Sequence, residues 1–589
     1  MDRYRKALAG LLSPATGLAA DELEPLVVIP EPGHGELSLA CFELAKRLRK
    51  PPAKVAKDLE AVWPGDPRFQ SVRAEGPYVN ARIEPSIFMR DIVGDLLSKG
   101  QAYLENDAGR GRTVVIDFSS PNIAKPLAYH HLRSTVIGRA LGNLLRASGY
   151  QVEGVNFLGD WGKTFGLLIA KLYDDFHGKG ISMAGLSRHA IIEKLESLGG
   201  MGYLLDLYVS ANKEAEEDAG FDAEARKSFV GMEQEDPQTV EIWAAIRELS
   251  LAEFDRVYRR LGVAFEHVEG ESLYRDKLEA AIDEIRKRPG VRESEGALVV
   301  DLPYAEDEPP CMLRKADGAT LYLTRDIAAA LDRWERFRFD RALYVVATDQ
   351  SLHFKQLKRV LAAMGREWAD RIIHVHFGRV HGMSTRKGNV LFLEDVLDEG
   401  KRLAGQTIQE SSPDLENADE VAEQVCQGAL VFADLRNQRG QDYKFDWKEQ
   451  LNFKGFTGAG IQYAHARCCS VLRKSGLPLE GPQGPDLGSV DFSLLGHEAE
   501  AALVRSLSLL PAAVQSAALE HEPYRLARAL FEIAKGWHHY QQAGTSDRSL
   551  RILADDRKIR AARLALVEAV RRGLMAGMDL LGMPHPATM

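Results

Sequence analysis

TVVIDFSSPNIAKPLAYHHLRSTVIGRALGNLLRASGYQVEGVNFLGDWG, residues 113–162, decides the fold. Its first part, TVVIDFS (113–119), is a β-branched run that reads as a buried strand. SPNIAKPLAYHH follows as a proline-broken loop. LRSTVIGRALGNLLRASG (132–149) repeats apolar residues at helical spacing and stops at Gly149. QVEGVNFL then carries the next strand. Strand, loop, helix and strand make a βαβ unit, which calls for a parallel sheet with its working edge at the carboxyl end of the first strand.

Outward from this unit, ALYVVA (342–347) and IIHVHF (372–377) return to the strand pattern, and residues 165–300 read as a mostly helical insertion between the sheet halves. The first hundred residues form a small α+β unit, with a helix expected over 36–49 and a strand at YVNARI. The polar stretch 105–112 reads as a linker. From about residue 420 the pattern is helix after helix, interrupted by a Gly/Pro-rich loop at 475–489. Four segments are expected: 1–106, a catalytic 107–400, a helical connector 401–450, and an all-α unit 451–589.

With 589 residues the chain exceeds what one core can bury, since single cores stop growing near ~250–300 residues. Hydrophobic residues at 45% and charged residues at 27% exclude a mainly disordered chain. Lys and Arg number 75 against 85 Asp and Glu, a net charge of −10, so any nucleic-acid surface is a local basic face rather than a uniform coat. The five cysteines, 41, 311, 426, 468 and 469, include no CxxC pair, which argues against a disulfide framework or Cys-rich zinc site and suits a reducing compartment. No apolar leader and no long apolar run are visible, so a cytoplasmic protein with no membrane partner is expected.

Two motifs mislead or inform. GDWGKT (159–164) suggests a phosphate-binding loop, but that loop needs glycine where Phe157 stands. No GxGxxG follows a strand. The loop SSPNIAKPLAYHHLRS (119–134), by contrast, brings two imidazoles, a lysine and hydroxyls to a helix N-terminus, where unpaired N–H groups and the dipole favour an anion. Such a loop suits phosphate chemistry, in which the protein mostly positions groups and stabilises charge.

SSPNIAKPLAYHHLRSTVIG resembles the signature loop of arginyl-tRNA synthetases, within the class I aminoacyl-tRNA synthetases. GALVFADLRNQR (428–439), TGAGIQYAHARCCSVLRK (457–474) and MDLLGMPHPATM at the end resemble the same family, in the same order. The resemblance implies a Rossmann-like catalytic domain with helical insertions between an α+β domain and an all-α anticodon-binding domain. It implies ATP-dependent attachment of L-arginine to tRNA(Arg) through an arginyl-adenylate, with ATP as substrate, Mg2+ accompanying it, and a monomer. A non-catalytic RNA-binding paralogue is the alternative.

Two departures motivate that alternative. The His-x-Gly-His signature has Ala128 at its first histidine and His130 at its glycine, while His131 matches. The Lys-Met-Ser-Lys-Ser loop is GMSTRKGN (382–389), where Met383 and Ser384 match and Arg386 and Lys387 offer positive charge; in altered versions of this loop Lys125 takes over. The resemblance places ATP on Ser120, Lys125, His130, His131, His353, Met383 and Ser384, with Lys125, His130, His131, Arg386 and Lys387 catalytic. It places arginine on Asp117, Asn122, Tyr322, Asp326 and Gln350, a set rich in the carboxylates and amides that hold a guanidinium. Gln462, Tyr463, His465, Arg467, Trp537 and Met589 are expected at the anticodon, helped by basic residues between 557 and 572. No protein metal ligands are expected.

Overall fold

A computed structural model of the chain describes residues 1–31, 33–288, 290–301, 311–314, 322–382, 391–477 and 490–589. The N-terminal unit packs helices Asp2–Thr16, Pro52–Ala61 and Pro85–Lys99 on an antiparallel sheet of strands 27–28, 37–40, 78–83 and 69–75, in that spatial order. The helix expected over 36–49 is two elements. Leu37–Ala40 pairs with Tyr78–Ala81, and only Phe42–Leu48 is helical. The run LSLA fits period 2 as well as period 3.6, and the sheet partner decides it.

The centre is a five-stranded parallel sheet. In chain order it contains β1 (Thr113–Asp117), the helix α1 (His131–Ala147), β2 (Gln151–Leu158), then the insertion helices α2 (Gly200–Glu217) and α3 (Pro237–Leu261), and β3 (His267–Gly270). There follow α4 (Tyr322–Phe337), β4 (Arg341–Tyr344), α5 (Ser351–Ala363) and β5 (Ile372–His374). The spatial order β5-β4-β1-β2-β3 reverses direction beside β1, so the crevice at its carboxyl end is the switch point where open α/β sheets bind ligands. Central strands are apolar because both faces are covered: Val114, Val115 and Ile116 are all buried. The segment read as a helical insertion thus contains a sheet strand, HVEG, too short and polar to announce itself. It also contains strands 291–294 and 297–300, which with 311–314 form a separate antiparallel sheet.

The last third is helical: α6 (Ala418–Leu435), α7 (Gly458–Ser475), α8 (Tyr524–Ser546) and α9 (Arg557–Leu581), with shorter helices between them. Glu498–Leu519 is long and apolar enough by composition to cross a membrane, yet it is two helices, 498–508 and 510–519, whose Leu503, Leu507, Leu510 and Val514 are buried in this bundle.

One arginine joins the parts. From α1, Arg139 donates to the carbonyl of Leu261 at the end of α3 and, at 2.8 Å, to that of Gly582 at the end of α9. A cation there meets the negative ends of two helix dipoles. Gly582 and Gly262 are both left-handed C-caps (φ 75° and 63°), and a Cβ on either would stand 2.8 Å and 3.0 Å from the Arg139 side chain. Asn143, one turn on, donates to Asp579 O at 3.2 Å. Gly582→Ala adds a left-handed alanine to this contact, so a loss of about 1–2 kcal/mol is expected, read as a lowered unfolding midpoint of the C-terminal bundle.

Candidate functional site

Beyond β1 the chain takes three residues in the left-handed region, Ser119 (φ 72°), Ser120 (φ 49°) and Ala124 (φ 63°). Non-glycine residues hold such angles only where the surroundings over-determine them. Here the backbone N–H of Ser119 donates to Ser134 Oγ (2.9 Å), that of Ser120 to Asn156 Oδ1 (3.2 Å), and that of Ala124 to Ser250 Oγ (2.9 Å). The Ser119 hydroxyl meets Tyr258 OH at 2.7 Å. The GDWG segment closes the loop from the other side: Ile123 N–H donates to Gly159 O, and a Cβ on Gly159 would stand 1.8 Å from Asn122 Oδ1. Lys163 of this rejected phosphate loop is paired with Asp222 at 2.6 Å.

The loop and the first turn of α1 line a cavity of about 600 Å³ with Ser119, Ser120, Tyr129, His130, His131, Arg133 and Ser134 on one wall and Val345–Ala347, Asp349 and Phe377–Val380 on the other. Ala128, at the position of the missing histidine, is buried, and its N–H donates to His131 Nδ1 at 3.0 Å. The same Nδ1 lies 3.1 Å from the Ala128 carbonyl, so the main chain of Ala128 fixes the ring through this nitrogen and leaves Nε2 unengaged by it. Burial, helped by His130, pushes His131 down to about 3, so it is a neutral imidazole. The ring of His130 lies over it at 4.1 Å, exposed at the cavity mouth, and burial by the surrounding protein lowers its pKa as well. Among the described residues no group of three His, Cys, Asp or Glu side chains is placed to hold a metal.

Arg133 anchors the far wall. It is buried, its Nε lies 2.9 Å from Asp434, and its Nη atoms donate to the carbonyls of Gly378 (2.7 Å), Gln441 (3.1 Å) and Arg439 (3.1 Å). Gly378 leads to the strand 380–381, which pairs with 443–444 and ends at the altered signature loop. Met383, Ser384, Arg386 and Lys387 lie outside the described residues.

A second cavity, about 700 Å³, lies in the C-terminal bundle between Ser411–Leu415, Phe453, Lys454, Tyr463, Arg467, Arg473 and the end of the chain at Thr588 and Met589. Tyr463 is stacked between Phe453 and His538, each 5.8 Å away with planes within 28° and 26°. A row of rings beside exposed Arg467 is a platform on which unstacked bases are held.

Family models match three consecutive stretches: an arginyl tRNA synthetase N-terminal domain at residues 2–83, a class I (R) tRNA synthetase catalytic domain at 92–447, and a DALR anticodon-binding domain at 461–589. This chain belongs to the arginyl-tRNA synthetases. It is similar to the arginine–tRNA ligase of Exiguobacterium sibiricum, 40% identical over 596 residues and 100% of both chains, and to that of Halothermothrix orenii, 38% identical over 592 residues and again 100% of both. Among solved structures, Thermus thermophilus arginyl-tRNA synthetase shares the fold over 100% of both chains, with a TM-score of 0.78 at 24% identity.

Against this family's expected arginine set, the structure makes a correction. Asp117 is buried and engaged: Arg333 donates to it at 2.7 Å and the Ser120 hydroxyl at 2.7 Å. It is a support beneath Ser120 rather than an open carboxylate. The Asp326 carboxylate accepts from His353 Nε2 at 2.5 Å, and His353 does not line the 600 Å³ cavity. Tyr322 is 71% exposed and shields neither acid. Gln350 and Asn122 are exposed near the crevice. The sequence reading missed Glu271. It is buried, bonded to Arg325 (2.5 Å), and pushed up to about 7 by burial, with Asp160 and Asp326 adding repulsion. Nothing in ESLY marks it; only the fold brings it beside Asp326.

The anticodon set divides. Tyr463, Arg467 and Met589 line the C-terminal cavity. Gln462, His465 and Trp537 are buried instead: Gln462 donates to Gln424 O and Pro584 O (2.9 Å each), and His465 Nδ1 sits 3.1 Å from Pro586 O, its pKa lowered to about 4 by burial. Gln462 and His465 fasten the tail, while Trp537 packs in the core against Tyr540. Arg563, Arg571 and Arg572 are spent on Glu500 and Glu568, which leaves Arg557, Lys558 and Arg560 as the basic face. Gly460, one turn before Tyr463, is close-packed: a Cβ there would stand 2.8 Å from Gly455 O.

Arg333→Met strands Asp117 in the core. Destabilisation of about 3–5 kcal/mol is expected in denaturant unfolding, with much of it recovered in the double variant that adds Asp117→Asn.

Proposed function

We propose that the reaction runs in the crevice beyond β1, with the residue roles that follow. The chain joins L-arginine to tRNA in two steps driven by ATP. The arginine carboxylate attacks the α-phosphorus, forming the mixed anhydride as the bond to pyrophosphate breaks. A hydroxyl of the terminal adenosine of tRNA(Arg) then attacks the arginyl carbonyl, and AMP leaves. ATP enters with Mg2+ on its phosphates. His131 Nε2–H and the first turn of α1 donate to phosphate oxygens, His130 packs over the nucleotide at the mouth, and Lys125 with Arg386 and Lys387 stabilises charge on the leaving group. The five cysteines, all buried and none in a disulfide, fit a protein working in the reducing cytoplasm.

The amino-acid end rests on one observation. Glu271, paired with Arg325, and Asp326, bonded to His353, are two carboxylates that repel each other, and a substrate guanidinium is the group that relieves that repulsion. Charging of total tRNA with each labelled amino acid in turn tests the assignment: arginine alone is accepted, and RNA that binds without being charged would instead mark a non-catalytic paralogue.

His131→Ala is expected to lower pyrophosphate exchange by at least ~100-fold and His130→Ala by less, as for loss of one transition-state donor. A pH effect follows from Glu271. Its pKa is raised to about 7, so it is increasingly protonated below that pH and cannot pair with a guanidinium. KM for arginine should rise as pH falls from 8 to 6 while KM for ATP stays level, and Glu271→Gln should weaken arginine binding and flatten the slope.

A further inference from the structure

Among the described residues Lys125 has no carboxylate within ion-pair reach, yet its side chain is not loose. Its ammonium lies 3.8 Å from the centroid of the Tyr208 ring, well inside the ~6 Å range of a cation–π contact. Tyr208 belongs to α2, in the helical insertion. The backbone on either side of the contact is fixed independently of it. Ala124, directly before Lys125, is held left-handed with its N–H on Ser250 Oγ, and the same hydroxyl stands 3.7 Å from Met201 Sδ in the first turn of α2. Asn212 Nδ2 donates to the Tyr208 carbonyl at 2.7 Å one turn further along. Loop and helix therefore meet through α3, and the ring and the ammonium are presented to each other.

We propose that Tyr208 is a positioning residue for Lys125, holding its ammonium for the phosphates of ATP without neutralising it; this rests on the phosphate role given to Lys125 above. The choice of partner matters. A carboxylate would fix the lysine equally well but cancel the charge that the leaving pyrophosphate needs. An aromatic face attracts the cation through its quadrupole, keeps the full charge, and covers one side of the ammonium while its remaining N–H groups stay free to donate.

Pyrophosphate exchange by the full chain with its tRNA tests this, with variants of unchanged circular dichroism and unfolding midpoint. Tyr208→Phe keeps the ring and should keep the rate. Tyr208→Leu should lower kcat about tenfold, the size expected for a partly desolvated cation–π contact, with KM for arginine unchanged. Tyr208 replaced by phenylalanines carrying one to five fluorines should lose rate progressively as the ring face becomes less negative, at nearly constant shape. Lys125→Ala should lose more, and adding Tyr208→Leu to it should cost nothing further. If Lys125→Ala is harmless, the phosphate role of Lys125 fails and this inference with it. If Lys125→Ala is slow but Tyr208→Leu runs at the wild-type rate, or if Tyr208→Phe falls as far as Tyr208→Leu, the role of the ring alone is overturned. Additive losses in the double variant would likewise make Tyr208 a packing residue.

Discussion

Arg133 and Asp434 form the contact on which the catalytic crevice depends. Both are almost wholly removed from water, at 2% and 1% exposure, and a charge so placed must be paired and hydrogen-bonded or be expelled. Around the guanidinium stand one carboxylate, three main-chain carbonyls that accept from its Nη atoms, and the rings of Phe377 and Tyr443 at 5.6 Å and 5.2 Å from the guanidinium carbon. Each partner comes from a different part of the chain. Arg133 is in the first turn of the signature helix, Gly378 follows the last sheet strand, and Arg439 and Gln441 follow α6. The same ion pair therefore sets the width of the nucleotide crevice and the starting point of the signature loop beyond Gly382.

A second buried charge system lies under the sheet edge. Arg333 joins Asp117 to Glu269, which also holds Arg336 and accepts from Tyr274 OH at 2.8 Å. Burial pushes the Asp117 carboxyl above the usual carboxylate range, and the Arg333 guanidinium and the Ser120 hydroxyl oppose that shift. Through the Ser120 hydroxyl this network supports the strained turn after β1. Three left-handed residues at roughly 1–3 kcal/mol each are tolerable where the side chains of Ser134, Asn156 and Ser250 each take up a backbone N–H. The loop after β1 is thus held by its own protein contacts, an arrangement that suits chemistry relying on preorganised donors.

Much of this was legible in the sequence, and the reasons for the rest are physical. The βαβ unit at 113–158 announced itself because a buried strand and an amphipathic helix have distinct periods, and Gly149 marks the stop. The family resemblance followed from the loop between them. HVEG and CMLR did not announce themselves, because four residues carry no period and their partners are distant. Asp117 was expected at the arginine site from the family resemblance; that Arg333 already occupies it is a fact of three-dimensional neighbourhood. Glu271 is the converse, a residue without local signal that becomes chemically active only when the fold sets it among Asp160, Asp326 and Arg325. In the anticodon domain, aromatic and amide residues on one helix looked alike. Position relative to the tail separated them, with Tyr463 and Arg467 facing the cavity and Gln462 and His465 turned inward.

Arg139 bears on how freely the domains can evolve apart. Its guanidinium fills the space over two helix ends, and both ends are glycine because a side chain would collide with it. Gly262, Gly582 and Arg139 lie in three different segments, so a substitution at any one alters what the other two tolerate. A C-terminal bundle transplanted from a relative carrying an alanine at the position of Gly582 would clash with Arg139, and this bundle joined to a catalytic part with a shorter residue at position 139 would leave its last helix end without a cation. The bundle is thus not an interchangeable module. Its seam is inherited together with the signature helix, and chimaeras must carry all three residues from the same parent.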